Sequence, residues 1–263
     1  MNQNLRIVSL VPSLTETLCD FGLEKNIVGC TNYCVIPKTL RKSSISIGGT
    51  KDPDLNKILS LMPTHIITNK EENTEAIRLE LKKQPGFKNI KIIETFPKNA
   101  KDAIALVIEL GEIFKCQNFT NKWTLEANQA YEKCLKESHL KINYLYFIWR
   151  NPWMVAGNHT YISAMLELVG FQNLMITKED LSSRYPIINE NSEIIKKPQI
   201  LFFSSEPYPF KKRHAEEFLK ISNKHQDHYL HVDGQKLSWY GTRTLKGLKY
   251  LLDLKKEVCH TVM

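Results

Sequence analysis

Apolar residues fall into short, dense runs divided by stretches of helical spacing, and the two alternate along the first hundred residues. The run RIVSLV (6–11) has the length and β-branched content of a buried strand. After it, Pro12 opens a helix to about Phe21, with Ser13 placed as N-cap and Glu16, three residues on, completing a capping box. Residues 27–30 read as a second strand, and Tyr33 follows in a loop ended by Pro37. IGGTKDPDL (47–55) reads as a turn whose Asp52 or Asp54 can cap a helix to Leu61. THIIT (64–68) is a third strand closed by NKEEN, a helix spans 74–83, and a fourth strand spans 90–93. Strands alternating with helices favour a mostly parallel sheet.

That rhythm stops at residue 99. Residues 99–138 carry helical spacing with no strand, broken around 116–118, and a second set then begins. It comprises KINYLYFIW (141–149), a helix over 161–169, QILFFS (199–204), a helix over 211–221, HYLHV (228–232) and a terminal helix over 242–256. The simplest account is an α/β protein of two lobes, 1–98 and 140–263, joined by a helical segment, 99–139, that contains one long backbone helix.

Charge narrows the partners. The 36 basic residues outnumber the 28 acidic ones by only eight, with no run of five or six like charges, so no concentrated stripe for nucleic acid is present. The apolar stretch after Arg6 is interrupted by Ser9 and ended by Pro12, which falls short of the uninterrupted segment of an export signal. No window approaches a membrane span. The expectation is a cytoplasmic protein without membrane insertion, its six irregularly spaced cysteines reduced. Cys30 and Cys34 are the only close pair, and CxxxC without partners is a weak metal or redox signal.

Three of the four tryptophans follow strand-like runs: Trp149 and Trp153 in WRNPW, and Trp239 in SWYGTR. In an open α/β fold, ligands bind outside the carboxyl ends of the strands. Most tryptophans partly cap a core, but the clustering of these with Arg150, Tyr240 and Arg243 favours a ligand cleft. SSEPYPF (204–210) repeats the arrangement, its prolines stiffening a loop that presents Glu206 and Tyr208. There is no G-x-S-x-G elbow, phosphate loop, G-x-G-x-x-G or H-E-x-x-H, and no triad stands out, so binding is expected rather than catalysis. His225, His228 and His231 recur at three-residue steps near Asp227 and Asp233. A strand's period of two sends His228 and His231 to opposite faces, which favours solvated or packed histidines over a metal site.

RIVSLVPSLTETLCDFG, IGGTKDPDLNKILSLMPTHIIT, the central helical span, WRNPWMVAGNHTYISAMLELVG, SSEPYPF and VDGQKLSWYGTR together resemble the class III solute-binding proteins with a helical backbone. The resemblance covers essentially the whole chain and is nearest to the cobalamin-binding-protein-like branch. It implies two Rossmann-like lobes, a rigid connecting helix with limited hinge motion, and a cleft between lobes holding a cobalamin, siderophore, heme or other metal chelate. No cofactor is required. Relatives are periplasmic or lipid-anchored.

Tyr33 falls where cobalamin binders place an aromatic residue facing the corrin, whereas Thr50 and Lys51 replace a tryptophan and Asn69 replaces another aromatic. Trp153 and Trp239 fall at or near cleft-lining positions of the other lobe. Members that feed importers dock arginines of an ABC permease with one carboxylate per lobe. Here the first position is Asn56, and no acidic residue lies within 239–244, which argues against such docking. The expectation is a monomeric, non-enzymatic binder of a small molecule. Trp149, Trp153, Tyr208, Trp239 and Tyr240 would stack on it, Lys51, Arg150, Arg184 and Arg243 would meet its carboxylate, phosphate or amide groups, and Glu206 would accept its donors. The alternatives are an enzyme remodelling a corrinoid-like cofactor and a binder of bare metal through histidines.

Overall fold

The structure, a computed structural model, describes residues 5–189, 191–221 and 228–262. The chain divides into two compact units. The first comprises Met1–Pro97, Ile104–Lys122 and Tyr240–Arg243, and the second Lys98–Ala103, Trp123–Trp239 and Thr244–Met263.

The first unit holds the short parallel strands β1 (Ile7–Ser9), β2 (Ile27–Cys30), β3 (Ile45–Ser46), β4 (His65–Asn69) and β5 (Lys91–Thr95); all but the exposed β3 arise from the dense apolar runs. Their order is β3-β2-β1-β4-β5. Between them run α1 (Pro12–Asp20), α2 (Leu40–Ser43), α3 (Leu55–Ser60) and α4 (Glu75–Lys83). Val8, Leu10, Ile47, Ile58, Ile66, Leu81 and Phe87 pack as one apolar cluster, which is why the strands read as continuous apolar runs.

Capping departs from expectation at α1. Its N-cap is Val11, with Pro12 at the first helical position and no side-chain cap. Ser13 and Glu16 are buried inside the helix, so the expected capping box does not form. The other caps follow local chemistry: Asp54 accepts from the Lys57 N–H at 2.9 Å and Thr74 from that of Ile77 at 3.4 Å.

The central span is two helices, α5 (Ala100–Ile113) and α6 (Gln117–Lys136), divided where Lys115 takes a positive φ of 58°. Each contributes residues to both units. Among the described residues no helix is long and apolar enough to cross a membrane.

The second sheet is built around β6 (Ile142–Trp149). β7 (Met154–Val155) pairs antiparallel and β8 (Phe171–Asn173) parallel with successive stretches of one edge of β6, while β9 (Ile200–Ser204) and then β10 (Tyr229–Val232) extend the other in parallel. The helices are α7 (Tyr161–Glu167), α8 (Lys212–Ile221), α9 (Gly234–Ser238) and the 20-residue α10 (Arg243–Val262). The core is aromatic: Phe147 stacks on Phe203 at 4.8 Å and meets Phe218 edge-on at 4.5 Å.

Each sheet reverses its winding once. The chain leaves β1 for β2 and β3 on one side and returns to β4 on the other; it leaves β6 for β8 and returns to β9. These reversals open a crevice outside the carboxyl ends of the strands.

Candidate functional site

In the second unit the carboxyl ends of β6, β9 and β10 lead into loops carrying Trp149–Trp153, Ser204–Phe210 and Asp233–Trp239. Trp149, the last residue of β6, is 39% exposed, and its ring meets Tyr208 edge-on at 5.7 Å. Tyr208 in turn packs on Phe210 at 4.8 Å, so an open aromatic face is fastened to the core behind it.

Arg150 is half-buried beside this face. Its Nη2 donates to both carboxylate oxygens of Glu217 on α8 at 2.6 and 2.7 Å, and its guanidinium lies 5.9 Å from the Trp153 ring centre. Glu217 thereby holds Arg150 in one pose and offsets its charge.

Glu206 is tied as firmly. Its Oε1 accepts from Trp239 Nε1 at 2.7 Å and Ser238 Oγ at 3.2 Å. Burial raises this carboxyl above the usual range, against the pull of Trp239, Gln235 and Ser238, and Asp233 adds to the rise. Ser204 Oγ closes the loop by donating to the Glu206 carbonyl at 2.6 Å. A Cβ at Gly234 would meet Ser204 Oγ and stand 2.7 Å from Glu206 Cγ, so the close approach of these loops requires glycine there.

In the first unit the strand-end loops are braced by asparagines. Asn69 Nδ2 donates to the Thr95 carbonyl at 3.1 Å, and its Oδ1 accepts from the Glu71 and Glu72 N–H groups at 2.8 and 3.2 Å. Asn73 Nδ2 donates to the Thr50 carbonyl at 2.8 Å. Tyr33, 61% exposed, and the exposed Lys51 project from the adjoining loops.

Several expected site residues are buried. Trp153, 4% exposed, stacks parallel to Phe210 at 6.0 Å and edge-on to Phe218 at 5.0 Å, so it presents no open face. Arg184 is buried, its carbonyl accepting from the Gly157 N–H at 2.8 Å. Tyr240 is buried and donates to Glu72 Oε1 at 3.0 Å; burial pushes its hydroxyl well above the usual range, reinforced by Glu72. Arg243 grips Glu16 through two bonds of 2.6 and 2.9 Å, the partner that replaces Glu16's expected capping role. These four are buried in this structure, Trp153 among aromatic rings and Tyr240 and Arg243 on carboxylates.

Trp149 meets Tyr208 beside Arg150 and Glu206 pairs with Trp239 on the strand-end loops of the second unit, and Tyr33 and Lys51 lie on loops of the first. Sequence reasoning missed Glu217, Ser238 and Gly234, whose roles arise from pairing across distant segments; only the Asp-Gly step before Gln235 carried a turn signal. His225 and Asp227 lie outside the described residues. His231 is exposed on β10 with its ring 5.8 Å from Tyr229, and among the described residues no three His, Cys, Asp or Glu side chains converge on a metal position.

A family model described as periplasmic binding protein matches residues 7–222, and the chain belongs to that family. Its structure is similar to that of the periplasmic vitamin B12 binding protein BtuF of Vibrio cholerae, at 20% identity and a TM-score of 0.79 over 96% of this chain and 97% of that one. It is likewise similar to the periplasmic heme-binding protein RhuT from Roseiflexus sp. RS-1, at 17% identity and a TM-score of 0.77 over 98% and 99% of the two chains. Staphylococcus aureus IsdE, solved with heme, shares 20% identity and a TM-score of 0.73 over 96% and 98%. At these identities the shared property is the fold. No curated protein sequence matches the chain.

Proposed function

We propose that the protein binds a bulky, flat small molecule, a corrinoid or another metal chelate such as heme, on the loops at the carboxyl ends of its strands, and releases it chemically unchanged. The observation that carries this is the Trp149 ring, open to solvent at the winding reversal between β6 and β9 and braced edge-on by Tyr208. Arg150, pre-set by Glu217, supplies a cation beside that face, and the ordered Glu206–Trp239 pair supplies a rigid polar rim. The names of the solved relatives, which bind vitamin B12 or heme, agree with a flat chelate.

The test is titration of the purified protein with hemin and with cyanocobalamin while tryptophan fluorescence is followed. Saturable quenching by one of them is expected, with affinity falling about tenfold in Trp149→Ala, the equivalent of roughly 1.4 kcal/mol of lost stacking. Equal affinity in a folded Trp149→Ala variant, or no saturable quenching by either compound, overturns the proposal.

A further inference from the structure

The CxxxC pair set aside in the sequence acquires partners in the structure. Cys30 ends β2, flanked in register by Ser9 of β1 and Ser46 of β3. Cys34 turns back toward it, its N–H bonded to the Thr31 carbonyl at 3.1 Å. Both cysteines line one cavity of about 390 Å³, together with Thr31, Arg41 and Ser44. Hydroxyls surround the two thiols: Cys34 Sγ lies 3.1 Å from Thr15 Oγ1 and 3.3 Å from Thr31 Oγ1, and Cys30 Sγ lies 3.2 Å from Ser44 Oγ.

This environment separates the pair from the other thiols. The neighbouring Cys34 thiol draws Cys30 down against the upward pull of burial, with Ser44 and Arg41 lowering it further and Cys19 opposing. The neighbouring Cys30 thiol and burial push Cys34 up. Cys19 and Cys134, by contrast, are each pushed up to about 12, chiefly by burial. Two cysteines four positions apart that line one cavity together with an arginine form the arrangement that thiol–disulfide exchange needs.

We propose that Cys30 and Cys34 are a redox-active dithiol whose substrates are small disulfides entering this cavity. The Cys30 thiolate attacks one sulfur of a disulfide RSSR; the bond from Cys30 to that sulfur forms as the S–S bond breaks, and RS⁻ leaves. Cys34 then gives up its proton and attacks the Cys30 sulfur, displacing the second RS⁻. The two chain thiols are oxidised to one disulfide, RSSR is reduced, and the two protons end on two molecules of RSH. The closed ring encloses Thr31, Asn32 and Tyr33, so the redox state of the pair acts directly on the loop that presents Tyr33.

The experiment incubates the full chain with oxidised glutathione in excess over reduced, followed by acid quenching, alkylation and peptide mapping. The expected product is an internal Cys30–Cys34 disulfide, reopened by a dithiol reductant, in both wild type and Cys19→Ser. Cys34→Ser should instead accumulate one glutathione on Cys30. Wild-type mapping that finds both thiols free, or a disulfide joining other cysteines in preference, overturns the proposal. Wild-type mapping decides the matter even where Cys34→Ser fails to fold.

Discussion

Arg243 offers a sharp separation between a ligand contact and an internal brace. Its side chain and that of Glu16 are 10% and 4% exposed, joined by bonds of 2.6 and 2.9 Å. Arg243→Met removes both bonds and leaves a buried carboxylate without its cation. Two hydrogen bonds to charged groups are worth about 1.5–3 kcal/mol each, and breaking a buried pair on one side costs about 3–5 kcal/mol. The expected loss is therefore about 3–5 kcal/mol in urea unfolding followed by circular dichroism. Pairing Arg243→Met with Glu16→Leu should restore most of that loss, because no charge is then stranded. A single variant that loses under about 1 kcal/mol while ligand affinity drops tenfold would refute the reasoning and return Arg243 to the ligand.

Trp153→Ala should destabilise the protein by about 3–5 kcal/mol, as for other buried aromatic truncations, measured by the same unfolding assay; a loss under about 1 kcal/mol would contradict its place between Phe210 and Phe218. Gly241 has φ of +83°, and a Cβ there would collide with Thr17 Oγ1, which accepts from the Thr242 N–H at 3.0 Å. Gly241→Ala should cost at least about 1–2 kcal/mol, and an unchanged unfolding midpoint would rule out that contact. Glu206 has its folded pKa raised by burial, so its contribution to stability is fully present below the ordinary carboxylate range and is lost as pH rises through the raised value. Glu206→Gln keeps an oxygen acceptor for Trp239 and removes that loss. The variant should therefore gain on wild type between pH 4 and pH 7 in urea titrations, and an equal difference at both pH values counts against the assignment.

The strands were legible because they are buried: RIVSLV and INYLYFIW have no polar face to interrupt them. β3, β7 and β8 were not, since two or three residues carry no periodicity and form only by pairing with β2 or β6. At α1 the local signal misled, because Pro12 sets the helix start and Glu16 is bonded to a residue more than two hundred positions away. The strand-end loops were legible from their tryptophans and prolines. Which ring faces outward was not: Trp149 and Trp153 belong to one five-residue motif, yet the chain reverses between β6 and β7 and returns the second ring to the core.

The first unit takes Tyr240–Arg243 from beyond the second sheet, and with them the bonds to Glu72 and Glu16. During synthesis, that unit's last piece leaves the ribosome more than a hundred residues after Lys122, an interval of roughly ten seconds at ordinary elongation rates. Until then the nascent N-terminal portion carries Glu16 without its arginine and Glu72 without its tyrosine. Completion of the first unit is thereby tied to synthesis through Arg243, and a chain that stops before Tyr240 leaves neither unit intact.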